Sequence, residues 1–485
     1  MPLPAERPPL RRARVRAAVL AIVCAGVTAA AAPAGAIVPG TVPETKASQA
    51  KPSATAPDLV LQGRGHGHGV GMTHDGALAL GRQGRSAAQI LATFYPGTTL
   101  GTATTTLRVL VHDAASAARL TVRLPAGGTL RPERGPVQGL PLRLAPGAAV
   151  DLTSDGARVT AASGRGTVTA PRGLLLLPDT VAALPDGSTH RGVLQVMTAA
   201  GRLRAIAHLD VEDYLRGMGE VRDSSWPDAA LRAQVVAARS YAIHAVRYAP
   251  RDPDFDVYAD DRSQVYLGAH AEYAAMDRAV DATRSEVLRY DGAIANAVYS
   301  TNGGGVTATA VEGFGPSRLR FPYLTTVRYP TPDPLPWTYR QPLREVARRL
   351  DYPGSITSFA VTAVGGSGRA TAVRVTGTRG PRDFSGLAVA ERLGLRSTLF
   401  AVVRPAPAAK TAAVPRTGAA PRIALGVVGA PTGARTLSPA AASRDRAADR
   451  RTASGLAWLL LAAVTTGLVG QGAVDSPRRR ALTGG

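Results

Sequence analysis

The longest helical pattern of hydrophobic residues lies within the segment Leu209–Tyr248. Its second half places apolar residues at helical spacing, which predicts one buried face formed by Ala230, Leu231, Val235, Ala238, Ala242 and Val246. Ser225 stands where an N-cap residue would, with Pro227 in the first turn of the predicted helix. A shorter helix is predicted over Val211–Met218, and Glu220 lies on the loop between the two helices. A carboxylate in such a loop is a candidate acid or base.

The segment Thr106–His208 has the pattern of short β-strands. Runs of Leu and β-branched residues are separated by turns rich in Gly, Pro and Asp. Eight strands are predicted, with the sequences TLRVLVHD, RLTVRLP, LPLRLAP, VDLTSD, RVTAAS, GLLLLPD, VLQVMTA and LRAIAHLD. Together with the helices, these strands place the chain in the α+β class, with a β-rich lobe beside Ala-rich helices.

The C-terminal part of the folded region continues this mixture of helices and strands. Helices are predicted around Tyr273–Thr283, Trp337–Leu350 and Leu387–Leu393. One hairpin pairs Glu286–Tyr290 with Ile294–Ser300 through Asp291-Gly292, a dipeptide typical of tight hairpin turns. A second hairpin is predicted over Ser355–Thr376, with its turn near Gly365–Gly368.

The N-terminal part of the folded region opens with glycine at every second position of the segment 63–71. The glycines alternate with Arg64, His66, His68 and Val70. A strand of this composition has one bare face, which another backbone or a ligand can approach closely. Two helices are predicted to follow, His74–Gln83 after Thr73 and Ala87–Tyr95 capped by Ser86.

The first 36 residues have the three parts of a secretory signal. Pro4–Arg16 is basic, Ala17–Ala32 is apolar, and Ala34-Gly35-Ala36 offers a cleavage site with small residues. We therefore expect the protein to be exported. Cys24, the one cysteine of the chain, lies in this signal. The mature chain would then have no disulfide, thiolate metal site or cysteine nucleophile.

A second apolar segment, residues 455–474, lies near the C-terminus and has about the ~20 residues that cross a bilayer. Arg478–Arg480 follow it, which predicts a membrane anchor with a cytoplasmic C-terminus. Arg450 and Arg451 precede it and reduce this asymmetry, so a buried or surface helix is the alternative. The predicted organisation is a signal at 1–36, a linker at 37–58, a folded domain at 59–403, a Pro/Ala/Arg-rich disordered stalk at 404–454, the anchor at 455–474 and a cytoplasmic tail at 475–485.

The net charge of +22 fits an anionic partner, such as nucleic acid, acidic lipid or a cell-wall polymer. An Arg-rich composition from a GC-rich genome is the alternative explanation. Because the chain is expected to be exported and Arg is concentrated in the stalk and the two ends, no nucleic-acid partner is predicted. The sequence has no nucleotide-binding loop, serine nucleophile elbow or C-x-x-C motif.

The segment VEDYLRGMGEV followed by SSWPDAALRAQVVAARSYAI resembles the signature of the stage II sporulation protein D family, which includes amidase enhancers. His190-Arg191-Gly192, DDRSQVYLG and VYSTNGGG occur in the order typical of that family. The Gly/His segment and ILATFYPGTTL resemble its usual C-terminal signature, yet here they lie at the N-terminal end of the domain. This order predicts a circular rearrangement, which a fold tolerates when its original termini are close. The resemblance covers about residues 59–403 and implies an α+β fold with a glycan cleft.

The resemblance also implies an activity. Enzymes of this family are lytic transglycosylases, which cleave the MurNAc–GlcNAc bond of peptidoglycan and leave a 1,6-anhydro end. Their catalytic glutamate corresponds to Glu220, a single carboxyl group that serves as acid and then as base. Such an acid needs a raised pKa, which burial near apolar residues such as Met218, Val221 and Trp226 would provide.

The loop after Glu220 departs from the family pattern, because it is slightly longer and has Arg222 where Pro is common. A cation there would favour the ionised form of Glu220, opposite to what an acid needs. The alternative is therefore a loop glutamate that bonds to helix N–H groups, in a non-catalytic wall-binding protein that stimulates a separate amidase. A charge cluster at a helix start, rather than a set of catalytic partners, is the interpretation of Asp210, Glu212 and Asp213.

The resemblance implies a set of polar and aromatic residues that line the glycan site. The predicted substrate-binding residues are His66, His68, Arg239, Asp261, Gln264, Tyr266, Ser300 and Asn302. For Arg239, a solvated or buried ion-paired side chain is the alternative, and His66, His68 and His74 could instead form a metal site. The zinc site of some family members is not expected, since VYADDRSQVYLG has no Cys or His. We predict no metal and no cofactor; the predicted partners are peptidoglycan glycan strands, a cell-wall amidase and, through the anchor, the membrane.

Overall fold

The computed structural model describes residues 58–113, 119–199, 201–248, 252–316 and 321–403. All of them belong to the larger of the two units into which the chain divides, residues 56–485. Strands and helices are interspersed along this part of the chain, and the fold is mixed α+β as predicted. The predicted signal, stalk and membrane anchor lie outside the described residues.

The elements fall into three groups along the chain. The first comprises β1 (Asp58–Arg64), β2 (Met72–Thr73), α1 (His74–Arg82), α2 (Ala87–Phe94) and β3 (Thr99–Thr102). The second comprises β4 (Thr106–Asp113), β5 (Arg119–Leu124), β6 (Gly128–Pro132), β7 (Leu142–Leu144), β8 (Ala148–Ser154), β9 (Arg158–Ser163), β10 (Gly166–Pro171), β11 (Gly173–Pro178), β12 (Ala182–Ala183), β13 (Thr189–His190), β14 (Val193–Ala199) and β15 (Arg202–Asp210). The third comprises α3 (Val211–Arg216), α4 (Asp228–Tyr248), β16 (Val257–Tyr258), α5 (Ala274–Ala282), β17 (Glu286–Tyr290), β18 (Ala293–Ile294), β19 (Tyr299–Ser300), α6 (Ala310–Phe314), β20 (Pro336–Pro342), α7 (Leu343–Arg349), β21 (Ile356–Val364), β22 (Ala370–Gly377), β23 (Gly380–Ser385), α8 (Gly386–Leu393) and β24 (Phe400–Val403).

The strand-rich group forms two sheets, with orders β16-β4-β15-β14-β11-β6-β7 and β10-β9-β8-β5-β12-β13. Val122 and Val150 of the second sheet and Leu174 and Val196 of the first are buried in one hydrophobic core. All eight strands predicted from the pattern are confirmed. Four further strands were not predicted, namely β6, β10, β12 and β13. Strands β6 and β10 begin with Gly and end with Pro, residues that are rare inside strands, and β12 and β13 have only two residues each.

Helix α4 is central, since it contacts α1, α2, α3, α5 and β17. Its buried residues include the small side chains of Ala233, Ala237 and Ala238, which let neighbouring elements approach closely. The predicted N-cap at Ser225 is wrong. The Ser225 N–H donates to Asp223 Oδ1 (2.9 Å) in a preceding turn. The carbonyl of Pro227 instead accepts the first helical bond, from the Leu231 N–H (3.2 Å).

The hairpin predicted after α5 is confirmed in its turn but not in its second strand. Asp291 and Gly292 both have positive φ, 48° and 75°, as the tight turn between β17 and β18 requires. The predicted strand Ile294–Ser300 is wrong, because the N–H groups of Ala297 and Val298 bond to carbonyls two residues back and turn the chain. As a result β19 pairs in parallel with β2.

The C-terminal elements form a smaller lobe with its own core. Two three-stranded sheets, β20-β1-β24 and β21-β22-β23, pack with α7 and α8. The hairpin predicted over Ser355–Thr376 and the helix predicted at Leu387–Leu393 are confirmed. The predicted helix Trp337–Leu350 is wrong in its first half, which is β20 and pairs with β1. Pro342 ends that strand and immediately precedes α7, because proline suits a helix start but not its interior.

Among the described residues, no helix is both long and apolar enough to cross a membrane.

Candidate functional site

The Gly/His segment is an irregular loop, so the strand predicted over 63–71 is wrong beyond Arg64. Gly65, Gly67, Gly69 and Gly71 all have positive φ. At Gly71 a side chain would also collide with the carbonyl of Val298, so glycine is required for both conformation and space. The glycine positions therefore allow two backbones to approach, and His66 and His68 do not share a strand face.

This loop lies against the segment 299–306, far away in sequence. The His66 N–H donates to the Asn302 carbonyl (2.8 Å), and the Asn302 N–H donates back to His66 (3.2 Å). The pairing of β2 with β19 continues this contact. The start of α1 is thereby placed beside Tyr299.

Glu220 follows α3 on a loop that is hydrogen-bonded to the segment 265–266. The Gly219 N–H donates to the Val265 carbonyl (2.8 Å), and the Val265 N–H donates to Glu220 Oε1 (2.9 Å). Burial raises the pKa of the Glu220 carboxyl to about 7, although hydrogen bonds from Tyr299 and Val265 act in the opposite direction. Oε2 is buried and has no hydrogen-bond partner among the described residues. One oxygen thus holds the carboxyl group in place, while the other is buried with its hydrogen-bonding capacity unsatisfied by the described residues.

The cation expected to oppose this shift does not do so. Arg222 is exposed and is not among the groups that move the pKa of Glu220. No carboxylate of the described residues contributes either. The expectation that Arg222 favours the ionised form is therefore wrong, because the Arg222 side chain is exposed to solvent and does not act on the carboxyl group.

Tyr299 is the residue that connects Glu220 to the rest of the site. Gln264 Nε2 donates to the Ala238 carbonyl (3.3 Å) and to the Tyr299 hydroxyl (2.8 Å), and Gln264 Oε1 accepts from Tyr214 (3.2 Å). Because the Tyr299 oxygen accepts a bond from Gln264, its own proton is free to be donated to Glu220. The sequence analysis missed Tyr299, and its place in VYSTNGGG was the available signal.

His74 is the first residue of α1 and contacts both Tyr299 and Trp226. Its ring centroid lies 5.5 Å from that of Tyr299 and 6.0 Å from that of Trp226. Burial lowers the pKa of His74 to about 4, so the imidazole is neutral at pH 7. The Gly/His block and Glu220 therefore contribute to one site through their shared neighbour Tyr299.

His66 and His68 lie on the loop beside this site. His68 Nδ1 accepts the Val70 N–H (3.0 Å), and its ring lies 4.7 Å from Phe314. Burial lowers the pKa of His68 to about 3 and also lowers the pKa of His66. In the described ranges no three His, Cys, Asp or Glu side chains are grouped as metal ligands would be.

Arg239 occupies a different place from the one predicted. Its guanidinium is fully buried and bonds to both oxygens of Glu212, to the Thr283 hydroxyl (3.4 Å) and to the Glu286 carbonyl (3.1 Å). This placement contradicts a substrate contact and matches the alternative of a buried ion pair. Asp210 is confirmed at the helix start, since its side chain accepts the Glu212 N–H (2.8 Å).

Most of the other predicted substrate-binding residues are also buried, namely Gln264, Tyr266, Ser300 and Asn302. Tyr266 stacks on Tyr214 with ring centroids 5.1 Å apart. Asn302 bonds to the Asp333 carbonyl and the Gly304 N–H. These contacts are made within the protein and do not support direct glycan contacts by Gln264, Tyr266 or Asn302. Asp261 is partly exposed, and burial raises its pKa.

The fold and this site define an α+β protein with a buried, protonatable carboxyl group among aromatic and amide side chains. Residues 199–290 match the family model described as Stage II sporulation protein (SpoIID). The chain is 35% identical over 141 residues to the amidase enhancer of Bacillus subtilis (strain 168), covering 28% of this chain and 18% of that protein. It is 30% identical over 198 residues to an uncharacterized protein of Brachyspira hyodysenteriae (strain ATCC 49526 / WA1), covering 39% and 53%.

The recognition made from the sequence motifs is thereby confirmed: the chain contains a domain of the stage II sporulation protein D and amidase-enhancer family. The aligned part spans about half or less of the length of these relatives. No solved structure matches the chain significantly. The family match does not include the Gly/His segment, and the circular rearrangement stays a prediction.

Proposed function

We propose that the protein is a lytic transglycosylase that cleaves MurNAc–GlcNAc bonds of peptidoglycan glycan strands, with Glu220 as acid and base. The observation that carries this proposal is the Glu220 carboxyl group, which has a pKa of about 7 and one oxygen without a partner among the described residues. A protonated carboxyl group at neutral pH is what a general acid requires. Glu220 as a whole is partly exposed, and we propose that the glycan strand approaches from this exposed side.

The reaction needs one carboxyl group. Protonated Glu220 donates its proton to the glycosidic oxygen as the bond to the anomeric carbon breaks. The resulting carboxylate takes the proton of the C6 hydroxyl, and that oxygen bonds to the anomeric carbon to close the 1,6-anhydro ring. Glu220 ends protonated again, and no water is consumed. The Tyr299 hydroxyl stabilises the intermediate carboxylate by donating a hydrogen bond.

The test is to incubate the purified full-length protein with peptide-free glycan strands and to analyse the products by mass spectrometry. Fragments ending in 1,6-anhydro-MurNAc are expected. Strand binding without any such fragment, at several protein concentrations and pH values, would count against the enzyme.

The pH dependence of this reaction provides a second test. The rate is expected to be constant below about pH 7 and to fall about tenfold per pH unit above it, because the first step needs protonated Glu220. Tyr299→Phe should move the midpoint to higher pH, since the hydroxyl of Tyr299 lowers the pKa of Glu220. Initial rates of anhydro-end formation from pH 5 to 9 measure both effects. A rate that rises with pH in that range would contradict the role of Glu220 as acid.

The second candidate function is stimulation of a separate cell-wall amidase by a non-catalytic protein. It is favoured by the similarity to a protein named amidase enhancer. In this case Glu220→Gln would leave the stimulation of amidase activity on purified cell walls unchanged. For either function we propose an exported protein at the outer face of the cytoplasmic membrane or in the cell wall, held by the segment 455–474.

A further inference from the structure

Two of the buried polar atoms that lack a hydrogen-bond partner in the described part of the chain belong to side chains that interact with Tyr299. They are Glu220 Oε2 and His74 Nε2. Buried polar atoms are nearly always bonded, and leaving one unsatisfied is destabilising. Both side chains interact with the same tyrosine, Glu220 through its carboxyl group and His74 through its ring. This arrangement is expected where a bound ligand supplies the missing partners.

The surroundings of His74 indicate the chemistry of that ligand. Trp226 is partly buried, and its ring lies 6.0 Å from the His74 ring at a steep angle, so an aromatic side chain adjoins His74. Aromatic faces pack against the C–H faces of sugar rings, while polar groups at the edge bind their hydroxyls. A neutral imidazole has one donor and one acceptor, which matches a hydroxyl group, whereas an anionic ligand would favour a cation.

His74 is also held in a fixed orientation by the backbone. Thr73 caps α1, with its hydroxyl accepting the Gly76 N–H (3.2 Å). The neighbouring pair β2–β19 fixes Thr73 opposite Ser300. The side chain of His74 is therefore presented by a rigid element, as a binding residue requires.

We propose that His74 is a substrate-binding residue, whose free ring nitrogen hydrogen-bonds a hydroxyl group of the sugar bound next to Glu220. The inference rests on the proposed function for the identity of the sugar, a residue of the peptidoglycan glycan strand. It assigns to His74 a contact with substrate, with Trp226 packing beside the same sugar ring.

The test compares His74→Phe with His74→Gln in the full-length protein. Phe keeps a ring of similar size against Tyr299 and Trp226 but removes both hydrogen-bonding atoms, whereas Gln retains a donor and an acceptor. In the Glu220→Gln background, where no turnover is expected, His74→Phe should weaken binding of peptide-free (GlcNAc-MurNAc) tetrasaccharide by about 10- to 100-fold in calorimetry. His74→Gln should remain within about threefold of the parent, because it retains the hydrogen bond.

The outcomes separate this inference from the proposed function. If the unaltered protein forms no anhydro ends but His74→Phe still weakens tetrasaccharide binding, the enzyme proposal fails and the binding role of His74 stands. If anhydro ends form while His74→Phe changes neither binding nor kcat/KM, the role of His74 is overturned alone. A loss of binding that Gln does not restore, together with a lowered melting temperature in both variants, would identify a structural residue and also overturn the inference.

Discussion

Glu220→Gln is expected to reduce the formation of 1,6-anhydro ends by at least about 10³-fold, because the same carboxyl group acts first as acid and then as base. Glutamine has nearly the same shape and keeps an oxygen that can accept the Val265 N–H, so the loop should retain its position. Binding of glycan strands should change by no more than a few-fold. Product analysis by mass spectrometry and strand binding measured on the same samples provide both quantities.

Asp223→Asn is a matched control, since Asp223 is an exposed carboxylate three residues further along the same loop. It should leave the rate unchanged. The prediction for Glu220 is contradicted if its amide variant retains more than a tenth of the activity of the unaltered protein.

The Glu220→Gln variant should also change the stability of the protein in a pH-dependent way. Because the folded-state pKa of Glu220 is raised to about 7, its ionisation is less favourable in the folded protein than in the unfolded chain, and this difference destabilises the fold at higher pH. Below the ordinary pKa of a glutamate, Glu220 is protonated in both the folded and the unfolded chain, so it does not destabilise the fold. Above that pKa the destabilisation grows with pH, and it reaches its full size above about pH 7. Glu220→Gln should therefore raise the free energy of unfolding by about 3 kcal/mol at pH 8 and have little effect at pH 4.

The sequence predicted the parts of the fold that depend on local pattern. Helix α4 and the strands of the two large sheets show their hydrophobic periodicity within their own sequences. The turn at Asp291-Gly292 consists of residues that favour positive φ. Trp337 shows the limit of such patterns. The segment after it was interpreted as a helix, whereas pairing with β1, nearly 280 residues earlier, makes it a strand. The partner strand is not visible in a local window.

The candidate site was likewise predicted only in part from the sequence. Glu220 was identified from a motif, but its raised pKa depends on burial, which no motif displays. Tyr299 and His74 were missed as members of the site because their roles arise from contacts between distant segments. Arg239 was placed in the binding set because of its position in the motif. The structure instead uses its charge to neutralise Glu212, a pairing between α3 and α4 that sequence spacing alone left open.

Arg239→Met is expected to lower the free energy of unfolding by about 3–5 kcal/mol, because it leaves the carboxylate of Glu212 buried without its cation. Arg239 Nη2 lies 2.6 Å from Glu212 Oε2, and Nη1 donates to the Thr283 hydroxyl and the Glu286 carbonyl. The remaining bond to Glu212, from the Ser285 N–H (3.1 Å), cannot neutralise the charge. Urea denaturation of the full-length protein and its variants measures the difference.

Arg232→Met provides the control on the same helix, since its pair with Asp228 is exposed and should contribute about 0–1 kcal/mol. Removing both buried charges, in Arg239→Met with Glu212→Leu, should restore much of the lost stability, because a buried ion pair and an apolar pair are often similar in free energy. A substrate contact predicts the reverse pattern: Arg239→Met would then weaken glycan binding at unchanged unfolding free energy, and Glu212→Leu would not compensate. The double variant therefore tests whether the ion pair of Arg239 with Glu212 stabilises the packing of α4 against α3, the helix that precedes Glu220.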